Sequence, residues 1–121
     1  AERNLREPAT EDKQVKETDM GDRRMAEIRT EEGSLYFYTH STGFALPGNA
    51  KRALELAAPR KEDTPYALRR VVDYLIFASG SRDNEVNSGL MFSPNLDDSY
   101  GGNPHSVVID MVNWKVTSTD R

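Results

Sequence analysis

The residues best suited to bind a ligand lie in one short segment, where an aromatic strand leads into a helix. Its aromatic rings can stack on a base, its hydroxyl and backbone N–H groups can hold an anion, and its imidazole can carry a proton near neutral pH. The segment lacks the Gly-Lys-Ser/Thr sequence of a phosphate-binding loop. We predict a ligand-binding site composed of Tyr36, Tyr38, His40, Ser41, Thr42 and Gly43.

Catalytic and metal-binding alternatives use the same histidine. A serine–histidine–aspartate triad is excluded, because two of its members would be adjacent on a strand and would point to opposite faces. A metal site that joins both histidines to aspartates lacks the spacing of known metal motifs. We predict no metal, cofactor or catalytic residue; the triad would need Ser41, His40 and Asp110, and the metal site His40, His105, Asp97, Asp98 and Asp110.

Sequence periodicity predicts the elements that position this segment. Residues 25–30 and 34–40 form a hairpin, with Leu35 and Phe37 on one face and the tyrosines and histidine on the other. A helix follows over residues 47–58, with an apolar stripe of alanines and Leu54. A second helix begins after an N-cap at Thr64 and ends near Ser79. Its apolar face contains Leu68, Val71, Val72, Leu75 and Ile76.

Three further strands are predicted after the helices, at residues 86–93, 106–112 and 115–117. The order β-β-α-α-β-β-β indicates an α+β fold, with an antiparallel or mixed sheet of four to five strands and two helices packed on one face. Leu75 and Ile109 lie on the most apolar helix and strand, and we expect both to be buried. The helices carry either a basic patch or two solvated faces, the second with Arg69 and Asp73 as an i,i+4 ion pair. The basic residues concerned are Lys51, Arg52, Arg69 and Arg70.

Composition limits the class of protein. The chain has 121 residues, no cysteine, 36% apolar and 30% charged residues, and a net charge of −4. Without an apolar run long enough for a membrane span or a signal segment, we expect a cytoplasmic protein. The negative charge disfavours nucleic acid as a partner. Residues 1–19 are charged and poor in apolar groups, so we predict an extension that folding does not require, followed by a single domain over residues 20–121.

Several segments resemble a family of small uncharacterised bacterial and phage proteins. The resemblance rests on M-G-D-R at residues 20–23, on Y-T-H-x-x-G-x-x-L-P at residues 38–47, on G-x-x-x-S at residues 89–93 and on V-x-D at residues 108–110. It departs from the family pattern at Ser41, where the family has tryptophan. The resemblance implies a domain boundary near Met20 and an accessory role in phages or mobile elements, including the countering of host defence.

These observations favour a non-enzymatic binding domain that contacts a protein partner or a small anionic ligand. The alternative is a small enzyme acting on a phosphorylated or nucleotide substrate, with His40 as its acid–base group. A second catalytic group beside His40 is not evident in the sequence, which disfavours the alternative. The sequence leaves open whether the chain also forms a homo-oligomer.

Overall fold

A computed structural model describes residues 22–80 and 87–119. The predicted extension over residues 1–19 and the first residue of the predicted strand at Val86 lie outside the described residues. Five strands and two helices follow one another in the predicted order. They are β1 (Arg24–Thr30), β2 (Gly33–Thr39), α1 (Leu46–Ala57), α2 (Thr64–Ala78), β3 (Ser88–Met91), β4 (Val107–Asp110) and β5 (Lys115–Ser118).

The five strands form one mixed sheet in the order β3-β2-β1-β4-β5. β1 and β2 form the predicted hairpin, whose turn passes through Gly33 at a φ of 133°, a value that favours glycine. β4 lies parallel to β1, whereas β3 and β5 pair in antiparallel fashion with β2 and β4. The α+β class, the mixed sheet and the element order are therefore confirmed.

Both helices cover the same face of the sheet. Ile28, Phe37 and Ile109 project from three neighbouring strands and are buried in one cluster with Leu54 and Leu75 of the helices. The alternation in β2 is as predicted, because Phe37 lies in this core while Tyr36 lies on the opposite face, opposite Glu27 of β1. Leu75 and Ile109 are both buried, as expected.

The second helix differs in two details from its prediction. Its N-cap is Asp63 rather than Thr64, because the helix begins one residue earlier and Pro65 lies within its first turn. Ile76 was expected in the core but is 36% exposed. The buried stripe runs through Ala67, Val71 and Leu75 at a spacing of four residues, which rotates Ile76 to the edge of the contact. Within the described residues, no helix is both long and apolar enough to cross a membrane.

Candidate functional site

The predicted site residues lie in two different places, namely on one face of the sheet and in the turn that follows β2. Tyr36 and Tyr38 lie on the open face, by which we mean the sheet face without helices. Thr42 precedes a short 3₁₀ turn, Gly43–Ala45, that leads directly into α1, so the strand-to-helix junction is where it was predicted. The aromatic residues therefore face the open side of the sheet, while the small residues form the turn beyond the end of β2.

Asp22 closes the turn at the start of the first helix. Its backbone N–H donates to the carbonyl of His40 at 3.1 Å, and its own carbonyl accepts the N–H of Gly43 at 2.8 Å. Its carboxylate accepts the backbone N–H of Phe44 at 2.6 Å. A negative group of the chain itself thus occupies the place where free N–H groups would attract an anion. An anionic ligand at this turn has to displace Asp22.

The hydroxyl groups of the turn bond to each other. The side chains of Thr39 and Thr42 are hydrogen-bonded, and the N–H of Thr42 donates to the hydroxyl of Thr39 at 3.4 Å. Thr39 is buried. These contacts fix the turn in the way that local side-chain hydrogen bonds usually do. Gly43 is also buried, which leaves His40, Ser41 and Thr42 as the partly exposed members of the predicted set at this end.

His40 and Tyr38 connect the open face to the loop before β4. The Tyr38 hydroxyl lies 3.2 Å from Nδ1 of His40 and donates to the carbonyl of Ser99 at 3.1 Å. The ring of Tyr38 meets that of Tyr100 edge-on at 5.0 Å. Burial raises the pKa of Tyr38. The backbone N–H of His40 donates to the carbonyl of Asn87 at 2.9 Å, so the histidine is anchored by its main chain as well.

A buried arginine, Arg24, connects the turn before α1 to the start of β4 and the end of β5. Arg24 donates to the hydroxyl of Ser106 and to the carbonyls of Gly43 and Thr119. The loop before β4 passes close to its backbone at Gly101, where an added Cβ would lie 2.8 Å from Cα of Arg24. Only glycine fits at that position, which also has a φ of 92°. The loop is thereby held against the start of β1.

The best-formed polar cluster of the open face was missed by sequence reasoning. Glu27 is 5% exposed, and its carboxylate accepts two hydrogen bonds from Arg29, at 3.0 and 3.2 Å, and one from Ser34 at 2.6 Å. Nδ1 of His105 lies 2.9 Å from the same carboxylate. The hairpin register places Arg29 opposite Ser34, but His105 is 78 residues away from Glu27 along the chain. The sequence contains no signal for that last contact.

The pKa of Glu27 reflects these contacts. Burial by itself raises the pKa of a carboxyl group, but hydrogen bonds from Arg29, Ser34 and His105 outweigh it and lower the pKa of Glu27 from 4.5 to about 2. The carboxylate is therefore ionised at neutral pH and acts only as an acceptor. Because an ionised carboxylate cannot donate, the Nδ1 nitrogen of His105 must carry the proton of their hydrogen bond.

A second surface lies on the outer side of the helices. We call it the helical groove, and it consists of two adjoining shallow depressions of about 260 and 250 Å³. Arg69 and Arg70 of the predicted basic patch line it, and the predicted pair of Arg69 and Asp73 is present at 4.0 Å. Lys51 lies instead beside a separate depression with Trp114. The lining residues of the helical groove are Leu56, Pro59, Arg60, Tyr66, Arg69, Arg70, Asp73, Tyr74 and Phe77.

The residues weighed as metal ligands are engaged separately. Asp110 accepts the backbone N–H and the side-chain amide of Asn113 and the backbone N–H of Val112, and these bonds lower its pKa. Asp97 accepts the N–H of Ser99. Within the described residues, no group of three or more histidine, cysteine, aspartate or glutamate side chains is arranged to hold a metal ion.

Comparison of the chain with protein-family models, with curated proteins and with solved structures found no match. The functional assignment therefore depends on the geometry of the molecule itself.

Proposed function

We propose that this domain is a binding domain that docks an amphipathic, acidic helix of a protein partner in the helical groove. The observation that carries the proposal is the composition of the groove, where exposed aromatic side chains alternate with arginines. Tyrosine and arginine are enriched among the residues that dominate binding energy at protein interfaces. The shape suits a helix, because two adjacent helices offer a furrow into which a third can pack.

The aromatic residues of the groove are more exposed than stability alone would favour. Phe77 is 75% exposed near the end of α2, and Tyr66 lies exposed near the start of the same helix. The ring of Tyr74 packs beside that of Phe77 at 6.1 Å, and the guanidinium of Arg60 lies 4.2 Å from the ring centre of Tyr66. Such preorganised aromatic surfaces bind a partner with little loss of side-chain entropy.

The charge of the groove supports an acidic partner. Arg60 and Arg69 each lie near one exposed carboxylate, at 3.7 and 4.0 Å. Exposed pairs of this kind are weak and can exchange partners. Arg70 makes no ion pair within the part of the chain that the structure describes. The groove is thus cationic in a chain whose net charge is −4, which selects against basic partners and steers acidic ones to this face.

The small anionic ligand, which the sequence offered as a second kind of target, has less support at the predicted turn. The carboxylate of Asp22 already accepts the N–H of Phe44 there. The resemblance to phage and bacterial proteins adds one element to the proposal, namely that the partner belongs to the host of a phage or mobile element.

Photo-crosslinking from inside and outside the groove tests the proposal. A photoreactive amino acid replaces Phe77 in one variant and Phe92, which is 89% exposed and outside the groove, in the other. We expect a protein to be crosslinked from position 77 and not from position 92. Once identified, that protein should bind Phe77→Ala at least about tenfold more weakly, a loss of about 1.4 kcal/mol, and Phe92→Ala with unchanged affinity.

The charge-reversed variant Arg70→Glu completes the test, with Arg52→Glu on the neighbouring helix as its control. Binding should weaken in the first and persist in the second. Equal crosslinking from both positions, or equal effects of both reversals, would contradict the proposal. Capture that disappears after nuclease treatment would identify the groove as a nucleic-acid site instead.

A further inference from the structure

His105 is held by its surroundings in a defined orientation on the open face. Its backbone N–H donates to the side-chain oxygen of Asn103 at 2.9 Å, and the N–H of Ser106 donates to the carbonyl of the same asparagine at 3.2 Å. This turn positions the imidazole so that it contacts Glu27. The rings of Tyr36 and His105 meet edge-on, with 6.4 Å between their centres. The ring is therefore fixed at one end by a buried carboxylate.

The other end of the imidazole is free. The side chain of His105 is 56% exposed, while that of Glu27 is almost completely buried. Because Nδ1 donates to Glu27, the neutral ring has its lone pair on Nε2. Within the described residues Nε2 makes no hydrogen bond, so it faces water. A carboxylate at one nitrogen and an exposed position at the other hold the ring in one tautomer, with the lone pair of Nε2 directed to the surface.

We propose that His105 is a general base that hydrolyses a small, neutral ester on the open face, with Glu27 as its positioning residue. Nε2 takes a proton from a water molecule while the oxygen of that water bonds to the ester carbonyl carbon. The imidazolium, which faces the carboxylate of Glu27, returns the proton to the alcohol oxygen as the carbon–oxygen bond breaks. The products are an acid and an alcohol, and the ring is regenerated.

The neighbouring charges select a neutral substrate. Glu27 and Asp110 carry two negative charges, and they are matched by the positive charges of Arg29 and of Lys115, which lies opposite Asp110 in β5. Arg29 already gives two hydrogen bonds to Glu27. The cluster therefore has no surplus positive charge for a phosphorylated substrate, the class that the sequence had suggested for an enzyme with His40 as its acid–base group. The site lies on the opposite side of the sheet from the helical groove and does not depend on it.

Arg52 is exposed on the first helix, on the other side of the sheet from His105, and serves as the control. Hydrolysis of p-nitrophenyl acetate is measured with the full chain, with His105→Ala and with Arg52→Ala. We expect His105→Ala to lower the protein-dependent rate by about a hundredfold or more, the usual range for loss of a general base, and Arg52→Ala to leave it nearly unchanged. The rate should fall in D₂O, because a proton moves in the slow step.

Glu27 is tested by Glu27→Gln and by the conservative Glu27→Asp. We expect the glutamine variant to lose activity, because its amide can donate to Nδ1 and move the ring proton to Nε2, while the aspartate variant recovers part of the rate. Imidazole ¹⁵N chemical shifts report the tautomer directly and should show the proton of His105 on Nδ1. A proton found on Nε2, an absent protein-dependent rate, or equal losses in His105→Ala and Arg52→Ala would overturn the proposal.

Discussion

The face of the sheet beneath the helices and the open face differ in what fills them. Beneath the helices, Ile28, Phe37 and Ile109 are packed against apolar helix residues. On the open face Glu27 is just as inaccessible to water, yet it is charged and satisfied by Arg29 and other donors. Apolar packing stabilises by volume and tolerates many arrangements, whereas a buried charge requires each of its hydrogen-bond partners. The open face therefore provides fixed polar groups that can take part in chemistry, and the face beneath the helices does not.

The largest effect that separates the two faces is expected from removing apolar volume beneath the helices. Ile109→Ala and Leu75→Ala should each lower the free energy of unfolding by about 2–5 kcal/mol, because each leaves a cavity in a packed core. Leu96→Ala, at an exposed position in a loop, is the control and should change stability by less than about 0.5 kcal/mol. Chemical denaturation measures all three. Core variants that behave like Leu96→Ala would show that the helices are loosely packed on the sheet.

An intermediate effect is expected from acid on the open face. The pKa of Glu27 is lowered from 4.5 to about 2 in the folded chain. The stabilisation from its hydrogen bonds is therefore complete above pH 4.5 and is lost as the pH falls through about 2. The size of this stabilisation is on the order of 3 kcal/mol, because each pKa unit corresponds to about 1.4 kcal/mol.

The control for the acid prediction is Glu27→Gln, which does not titrate. The difference in unfolding free energy between the wild type and this variant should shrink as the pH is lowered from 5 towards 2, as measured by denaturation at a series of pH values. If the unfolding free energies of the two proteins ran parallel over this pH range, the contribution of Glu27 to stability would not depend on its charge.

The smallest effect on stability is expected from the substitution of His40. His40 is partly exposed and contacts the hydroxyl of Tyr38, so His40→Ala should change the unfolding free energy by less than about 1 kcal/mol. If the predicted site at residues 36–43 binds a ligand or partner, its affinity should fall about tenfold, or 1.4 kcal/mol. A large loss of stability with binding intact would assign His40 a purely structural role.

The amino-acid sequence by itself determined the elements and the faces on which their residues lie. Alternation in β2 placed Phe37 in the core and Tyr36 on the opposite face, and helical spacing identified Leu75, because these patterns follow from the repeat of each element. It also located the turn before α1, because glycine permits turn conformations and proline fixes φ at a value that suits the first turn of a helix.

Tertiary structure alone decided what surrounds those residues. Asp22 closes the turn that an anion was expected to occupy, and His105 meets Glu27 from a loop 78 residues away. The rotation of α2 that exposes Ile76 depends on how the helix packs, which periodicity does not specify. The reason is the same in each case. A repeat fixes which face a side chain takes within its own element, but a contact between distant segments depends on strand order and loop path, and neither leaves a local pattern in the sequence.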